Sequence, residues 1–231
     1  MYLVSNPQTK SSRRTNADDV YERLYNDISN WRLLPGDKLS EIEIAKQMEV
    51  SRQPVREAFI RLHNTGLLLV RPQKATEVRR ISKNAIEGSR FVRLAVEVEV
   101  LRKACSMQTE SFNSRFENNL EQQKIAIDAG DTDTYTALDY QFHGLICTAA
   151  DCEYAFGVIE SSKAQVERLA LLQLADELER NETYDDHCKL VECIKENKPA
   201  EAAEIMRHHL TRLDTVVTSV QKSHAEYFDK D

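Results

Sequence analysis

The chain has 231 residues, of which 41% are hydrophobic and 30% charged, a balance that suits one or two globular domains with cores of their own. No stretch supplies the roughly 20 apolar residues of a membrane span, and the first residues, polar with Arg13 and Arg14, lack the apolar centre of a secretory signal. The five cysteines (Cys105, Cys147, Cys152, Cys188, Cys193) are odd in number and never spaced CxxC, which fits a reduced, cytoplasmic protein that uses them as small buried hydrophobes.

The net charge of −7 hides a split along the chain. Residues 1–83 carry 15 Lys/Arg against 10 Asp/Glu, whereas residues 84–231 carry 16 against 28. A basic module that meets a polyanion, followed by an acidic module with another task, produces such an asymmetry. Chance clustering on solvated faces also produces it, and charge alone does not choose.

Residues 1–15 have few apolar groups and read as a flexible arm. Asn16 is placed to cap a helix over 17–31, with Val20, Leu24, Ile28 and Trp31 as its apolar stripe. The turn Leu34-Pro35-Gly36-Asp37 leads to Ser40 and Glu43, the spacing of a capping box, with Leu39 and Ile44 as its hydrophobic staple, and predicts a helix over 41–48. Ser51 then caps a helix that tolerates Pro54 in its first turn and runs to about Thr65, stopping at Gly66. Extended runs at 67–70 and 76–80 flank Arg71-Pro72-Gln73-Lys74-Ala75, a two-stranded ribbon with a basic tip. These elements form a first domain over 16–82.

From about residue 85 to the end the periodicity is helical. Helices are predicted over 86–107, 110–129, 132–149, 153–178, 183–196 and 199–222, with breaks at Gly130, near Asp151, at Asn181 and at 197–199. The first of them is apolar almost all round (Phe91, Val92, Leu94, Ala95, Val96, Val98), so it is expected in the middle of an antiparallel bundle. Residues 83–231 form this second, all-α domain.

Each domain carries a chemical constellation. In the first, Arg52, Gln53 and Arg56 stand in the opening turn and a half of a helix that follows another across a tight turn. Arg pairs bidentately with guanine and Gln with adenine in a major groove, while the Ser51 hydroxyl suits a phosphate and Arg71 and Lys74 can reach backbone or minor groove. In the second, Asp139 and His143 share a helix face four residues apart. His187 lies on a stripe with Leu190, Val191 and Ile194, and His209 lies between Met206 and Leu213, with His208 turned roughly 100° away. Three inward His and one Asp suit a borderline divalent cation such as Zn, Ni or Mn. Equally, each His can be a singly satisfied core residue. Arg168, among apolar residues of its helix, is a further candidate for lining a pocket there.

The segments 35–46 (PGDKLSEIEIAK) and 50–68 (VSRQPVREAFIRLHNTGLL) resemble the winged-helix signature of GntR-family transcription regulators. By that resemblance Ser51, Arg52, Gln53 and Arg56 contact a double-stranded DNA operator and 73–76 form the wing. One departure is Ala75 after Lys74, where the family's wing tip carries glycine, which disfavours the closest backbone approach to the minor groove. The acidic helical half resembles the FCD ligand-binding domain of the FadR-type subfamily, so the likeness covers nearly the whole chain. It implies a mainly α protein, a winged helix-turn-helix followed by an FCD-like bundle. Asp139, His143, His187 and His209 are then the metal ligands, and Arg93 and Glu97 sit beside them to bind a small organic or sugar acid. The function this implies is ligand-responsive operator binding by a homodimer, in the sense of a repressor. The alternative is a metal-dependent hydrolase-like enzyme with an accessory domain, which leaves the N-terminal motif unexplained.

Overall fold

The computed structural model describes residues 14–107, 109–163 and 167–230. The arm expected over 1–15 lies outside them, apart from Arg14 and Thr15. Helix α1 (Asn16–Ser29) begins one residue earlier than expected because Thr15, not Asn16, is its cap: the Thr15 hydroxyl accepts from the Asp18 amide, and the Asp18 carboxylate accepts from the Thr15 N–H. Asp18 lies three residues after Thr15, the spacing that closes this reciprocal pair. Trp31, expected on the α1 stripe, stands beyond the helix end with φ 57° and turns its indole away from the α1 core.

Helix α2 (Glu41–Gln47) is capped by the Ser40 hydroxyl accepting from the Glu43 amide, and α3 (Arg52–Asn64) follows across a short turn. Between them Glu49 takes φ 54°, while the Val50 amide bonds the Ala45 carbonyl and that of Glu49 bonds Lys46, the left-handed stop of a helix made here without glycine. Gly66, φ 78°, stops α3 in the same way. Three short antiparallel strands, β1 (Lys38–Leu39), β2 (Leu68–Leu69) and β3 (Thr76–Val78), form a sheet of order β1-β3-β2 with Leu39 opposite Thr76 and Leu68 opposite Val78. The ribbon is shorter than expected, and β1 was not foreseen because two residues carry no alternation to read. Val20, Leu24, Ile28, Val55, Phe59, Leu62 and Val78 close this domain's core.

The second domain contains α4 (Lys83–Ser106), α5 (Glu110–Asp128), α6 (Thr132–Ala149), α7 (Glu153–Lys163), α8 (Glu167–Ala175), α9 (Glu177–Lys195), α10 (Pro199–Thr211) and α11 (Leu213–Ser223), then a 3-10 turn, Ala225–Tyr227. Of the helix expected over 153–178, residues 153–163 and 167–175 are helical as α7 and α8, and 164–166 between them lie outside the described residues. Helix α9 begins well before the expected residue 183. Asp176 caps it by accepting from the Leu178 and Glu179 amides, and the presumed breaker Asn181 sits inside, bonded back to the Glu177 carbonyl. The helix expected over 199–222 divides at Arg212, whose guanidinium is anchored on Asp186 and Glu182.

Helix α4 packs against α6, α7, α9 and α10, around a core that includes Leu101, Phe116, Phe142, Leu190 and Met206. Its central position is as expected, but not all of its apolar residues are covered: Phe91 is 74% exposed. The physical reason is that four neighbours enclose only part of a helix surface, and the turn carrying Phe91 and Ala95 faces out.

The two domains meet through side chains from both. The Trp31 Nε1–H donates to the Arg168 carbonyl (2.8 Å), and Arg168 Nη1 donates to the Arg79 carbonyl (2.9 Å). The chain's end returns to the same place. Phe228 pairs in parallel with the linker residue Ile81, whose amide bonds the Tyr227 carbonyl (2.8 Å) and whose carbonyl accepts from the Asp229 amide (2.9 Å). Ile81, Leu169 and Phe228, with Trp31, Val216 and Val220 against them, make a small apolar cluster at this joint.

Candidate operator-reading face and candidate metal centre

Helix α3 buries Val55, Ala58, Phe59 and Leu62 and turns Arg52, Gln53, Arg56 and Ile60 outward. The period of the buried residues therefore decides which polar groups face away from the core. Ser51 holds the N-cap position, yet its side chain makes no capping bond, which leaves the hydroxyl and the first-turn N–H groups for an external anion. Arg52 and Arg56 both reach Glu41 on α2, and Gln53 Nε2 donates to Glu57 (3.0 Å). At the wing, Arg71 is partly covered and pairs with Glu77 across the ribbon (3.0 Å), while Lys74 stays exposed at the tip. The wing's left-handed residue is Gln73, φ 58°, rather than Ala75, so the alanine occupies ordinary backbone space.

In the bundle, Asp139 and His143 from α6, His187 from α9 and His209 from α10 come together, with one potential ligand atom from each within 4.8 Å of all the others. The imidazole centroids are 5.1 to 5.8 Å apart. His187 is fully buried and stacked on Phe142 (4.0 Å), with its Nε2 lacking a hydrogen-bond partner and standing 3.6 Å from Asp139 Oδ1. Burial, and then the neighbouring His209, pushes the pKa of His187 well below the ordinary value, and burial lowers that of His209, so both rings are neutral and able to donate a lone pair.

An oxygen stands beside Nδ1 of each ring. Gln123 Oε1 is 2.9 Å from His187, Glu97 Oε2 is 2.7 Å from His143 but out of line for a hydrogen bond, and Asp186 Oδ2 is 3.7 Å from His209. Such oxygens orient imidazoles around an ion. Burial pushes the Glu97 carboxyl up, and Arg93 (2.7 Å) with His143 more than offsets this, so Glu97 is held well below the usual carboxylate range. Asp186 is held low in the same way, against burial, by His209 and Arg212. The set fits a divalent cation: a buried nitrogen without a partner, a carboxylate beside it and neutral rings.

A cavity of about 60 Å³ opens on this cluster, lined by Arg93, Asp139, His143, His209, Ala170, Gln173 and Leu174 among others. That is several times the roughly 10 to 15 Å³ one water needs, enough for a small carboxylate beside an ion. A larger groove of about 690 Å³ runs along α5, α6 and α7 but carries none of the four candidate ligands besides their helix neighbours. Arg93 and Glu97 therefore sit where expected, Arg93 on the cavity wall and Glu97 behind His143. Arg168 does not line the cavity: Ala170 and Gln173 take that face of α8, while Arg168 turns toward Arg79 at the domain joint, its pKa lowered by burial to about 10. Gln123, Asp186 and Arg212 were not foreseen, because an amide or an acid within a polar helix has no spacing that marks it.

Residues 16–78 match the family described as bacterial regulatory proteins, gntR family, and residues 90–212 match the FCD domain. The HTH-type transcriptional repressor RspR of Escherichia coli strain K12 is 34% identical over 212 residues, covering 92% of this chain and 93% of that protein. The chain belongs to the GntR family. It is a transcription regulator with an FCD domain and not an enzyme, and regulators of this family bind DNA operators. The gluconate operon transcriptional repressor of Bacillus subtilis strain 168 is 29% identical over 157 residues, 68% of this chain and 63% of that protein. Among solved structures, E. coli McbR/YncC shares the fold with a TM-score of 0.71 at 20% identity, over 89% of this chain and 98% of that one. No helix among the described residues is long and apolar enough to cross a membrane.

Proposed function

We propose that this GntR regulator binds its operator as a homodimer through Ser51, Arg52, Gln53 and Arg56 with Lys74 at the wing tip, and releases it when a small organic or sugar acid binds beside a divalent metal in the FCD domain. The observation that carries the reading is the buried nitrogen of His187 without a partner, 3.6 Å from Asp139, which with Arg93 lines the adjoining cavity. Asp139, His143, His187 and His209 would hold the ion, which supplies a Lewis-acidic point for a carboxylate oxygen. Arg93 presents a second positive charge to the same group. The gluconate operon relative is consistent with an acid of this class.

Helix α8 supports a link between the domains. Its Ala170, Gln173 and Leu174 line the cavity, while Arg168 and Leu169 meet Trp31, Arg79 and Ile81 at the joint. A ligand shifts operator affinity only by binding one arrangement of that joint better than the other. The test is a melting-temperature panel of small carboxylates and sugar acids on metal-loaded protein, repeated after chelation, with gel-shift titration of any hit. A hit that disappears with the metal and weakens DNA binding is the expected result. Ligands that bind equally well after chelation would reject the metal-centred site.

A further inference from the structure

Arg52, Gln53, Arg56 and Arg61, all outward on α3, are tied to carboxylates. Gln53 donates to Glu57, and Arg61 pairs with Asp18 (2.8 Å). The arrangement at Glu41 differs in that one carboxylate serves two arginines. Arg56 meets it with Nε on Oε1 (3.3 Å) and Nη2 on Oε2 (3.1 Å), and Arg52 Nη2 reaches the same Oε2 at 3.1 Å. Glu41 is only a quarter exposed, at the first position of α2, whereas both arginines are more than half exposed.

The geometry of the guanidinium makes this compatible with reading a base. Arg56 spends its side-on fork, Nε–H and one Nη2–H, on Glu41. What remains are both Nη1 hydrogens and the other on Nη2, the end-on pair that matches N7 and O6 of a guanine. Glu41 therefore need not be displaced for readout. The hydrogen bond from Arg56 outweighs burial and keeps the Glu41 carboxyl below the ordinary carboxylate range, so it is ionised at neutral pH. An anion at that place also acts on the alternatives. An arginine released from it can swing to a phosphate on any sequence, and the carboxylate itself is repelled by the DNA backbone.

We propose that Glu41 is the positioning residue for sequence readout: it fixes the guanidinium planes of Arg52 and Arg56 end-on to the groove and penalises binding that uses them on phosphates. This rests on the assignment of Arg52 and Arg56 as operator-reading residues made above. Its consequence is unusual for a negative charge near DNA. Removing it tightens binding to arbitrary sequence while loosening selection of the right one, a case of specificity set by what is disfavoured.

The experiment selects duplexes from a random-sequence library with full-length protein, then measures affinity for the enriched duplex and a scrambled one across salt concentrations. Variants are Glu41→Gln, Glu41→Ala, Arg52→Ala, Arg56→Ala and Glu43→Gln. Glu43 is exposed on the same helical turn and takes no part in either arginine pair, so it controls for loss of a helix N-terminal charge. Both Glu41 variants are expected to lose at least about fivefold in the ratio of the two affinities. Most of that loss comes from tighter binding to scrambled DNA, with a salt dependence steeper by roughly one phosphate contact for each freed arginine. Glu43→Gln is expected to match the wild type. Glu41 variants that keep the wild-type ratio, or lose both affinities in parallel, overturn the proposal while leaving the arginine assignment intact if Arg52→Ala and Arg56→Ala abolish the enriched motif. Arginine variants that still enrich the wild-type motif overturn the assignment and the proposal together.

Discussion

The indole N–H of Trp31 donates to the backbone carbonyl of Arg168 at 2.8 Å, so the residue just past α1 in the DNA-binding half is bonded to α8, a helix that lines the candidate metal cavity. Trp31 is the chain's one tryptophan. Its emission is therefore expected to shift when a ligand occupies that cavity. Trp31→Phe keeps a ring in the joint and removes the bond. In this variant the effector is expected to bind with nearly unchanged affinity while its effect on operator affinity, typically about 1 to 3 kcal/mol for such couplings, shrinks. A variant that responds to effector as fully as the wild type would exclude Trp31 from the link.

Metal should stabilise the folded chain through binding alone. With free metal about a hundredfold above its dissociation constant the gain is roughly 2.7 kcal/mol, read as a rise in melting temperature that chelator reverses. His187→Ala removes a nitrogen that is buried and without a partner, so calorimetry on this variant should show greatly weakened uptake. Equal uptake by wild type and variant would place the ion elsewhere.

Gln123 is expected to matter for metal affinity without touching the ion. It is fully buried, holds His187 Nδ1 through its Oε1, and is itself anchored by donating to Asn119 (2.7 Å). Gln123→Leu should weaken metal binding by roughly 10- to 100-fold, measured by competition with a chromophoric chelator. Gln123→Glu restores an acceptor and should recover part of the loss. Metal affinity unchanged in both variants would show that His187 is oriented by its stacking on Phe142 instead.

The returning C-terminal segment is expected to contribute to stability at the joint. Phe228 is 5% exposed and packs with Ile81 and Leu169. Phe228→Ala should cost about 3 kcal/mol in urea denaturation. A cost well under 1 kcal/mol would mean that the tail can leave without loss.

The order of elements in the first domain was legible because local signals agree: Ser40 and Ser51 before amphipathic stretches, Gly66 after one, and Val55, Phe59 and Leu62 at helical spacing. The four candidate ligands were legible for a related reason. Each shares a stripe with apolar residues that must face the core, as His187 does with Leu190, Val191 and Ile194, all buried. Helix ends were less legible where a cap overrode composition, as Asp176 did by starting α9 ahead of Asn181.

The sequence by itself determined which side chains of α3, α6, α9 and α10 carry the two chemical faces, Arg52, Gln53 and Arg56 outward on one domain and Asp139, His143, His187 and His209 inward on the other. Periodicity is a local property, so it is written in spacing. Only the tertiary structure decided what stands behind those groups: Glu41 under two arginines, Gln123, Glu97 and Asp186 beside the imidazoles, and Arg168 at the joint rather than in the cavity. Most of these partners lie 11 to 89 residues away along the chain or on another helix, where helical spacing relates nothing to anything, and only packing brings them within reach.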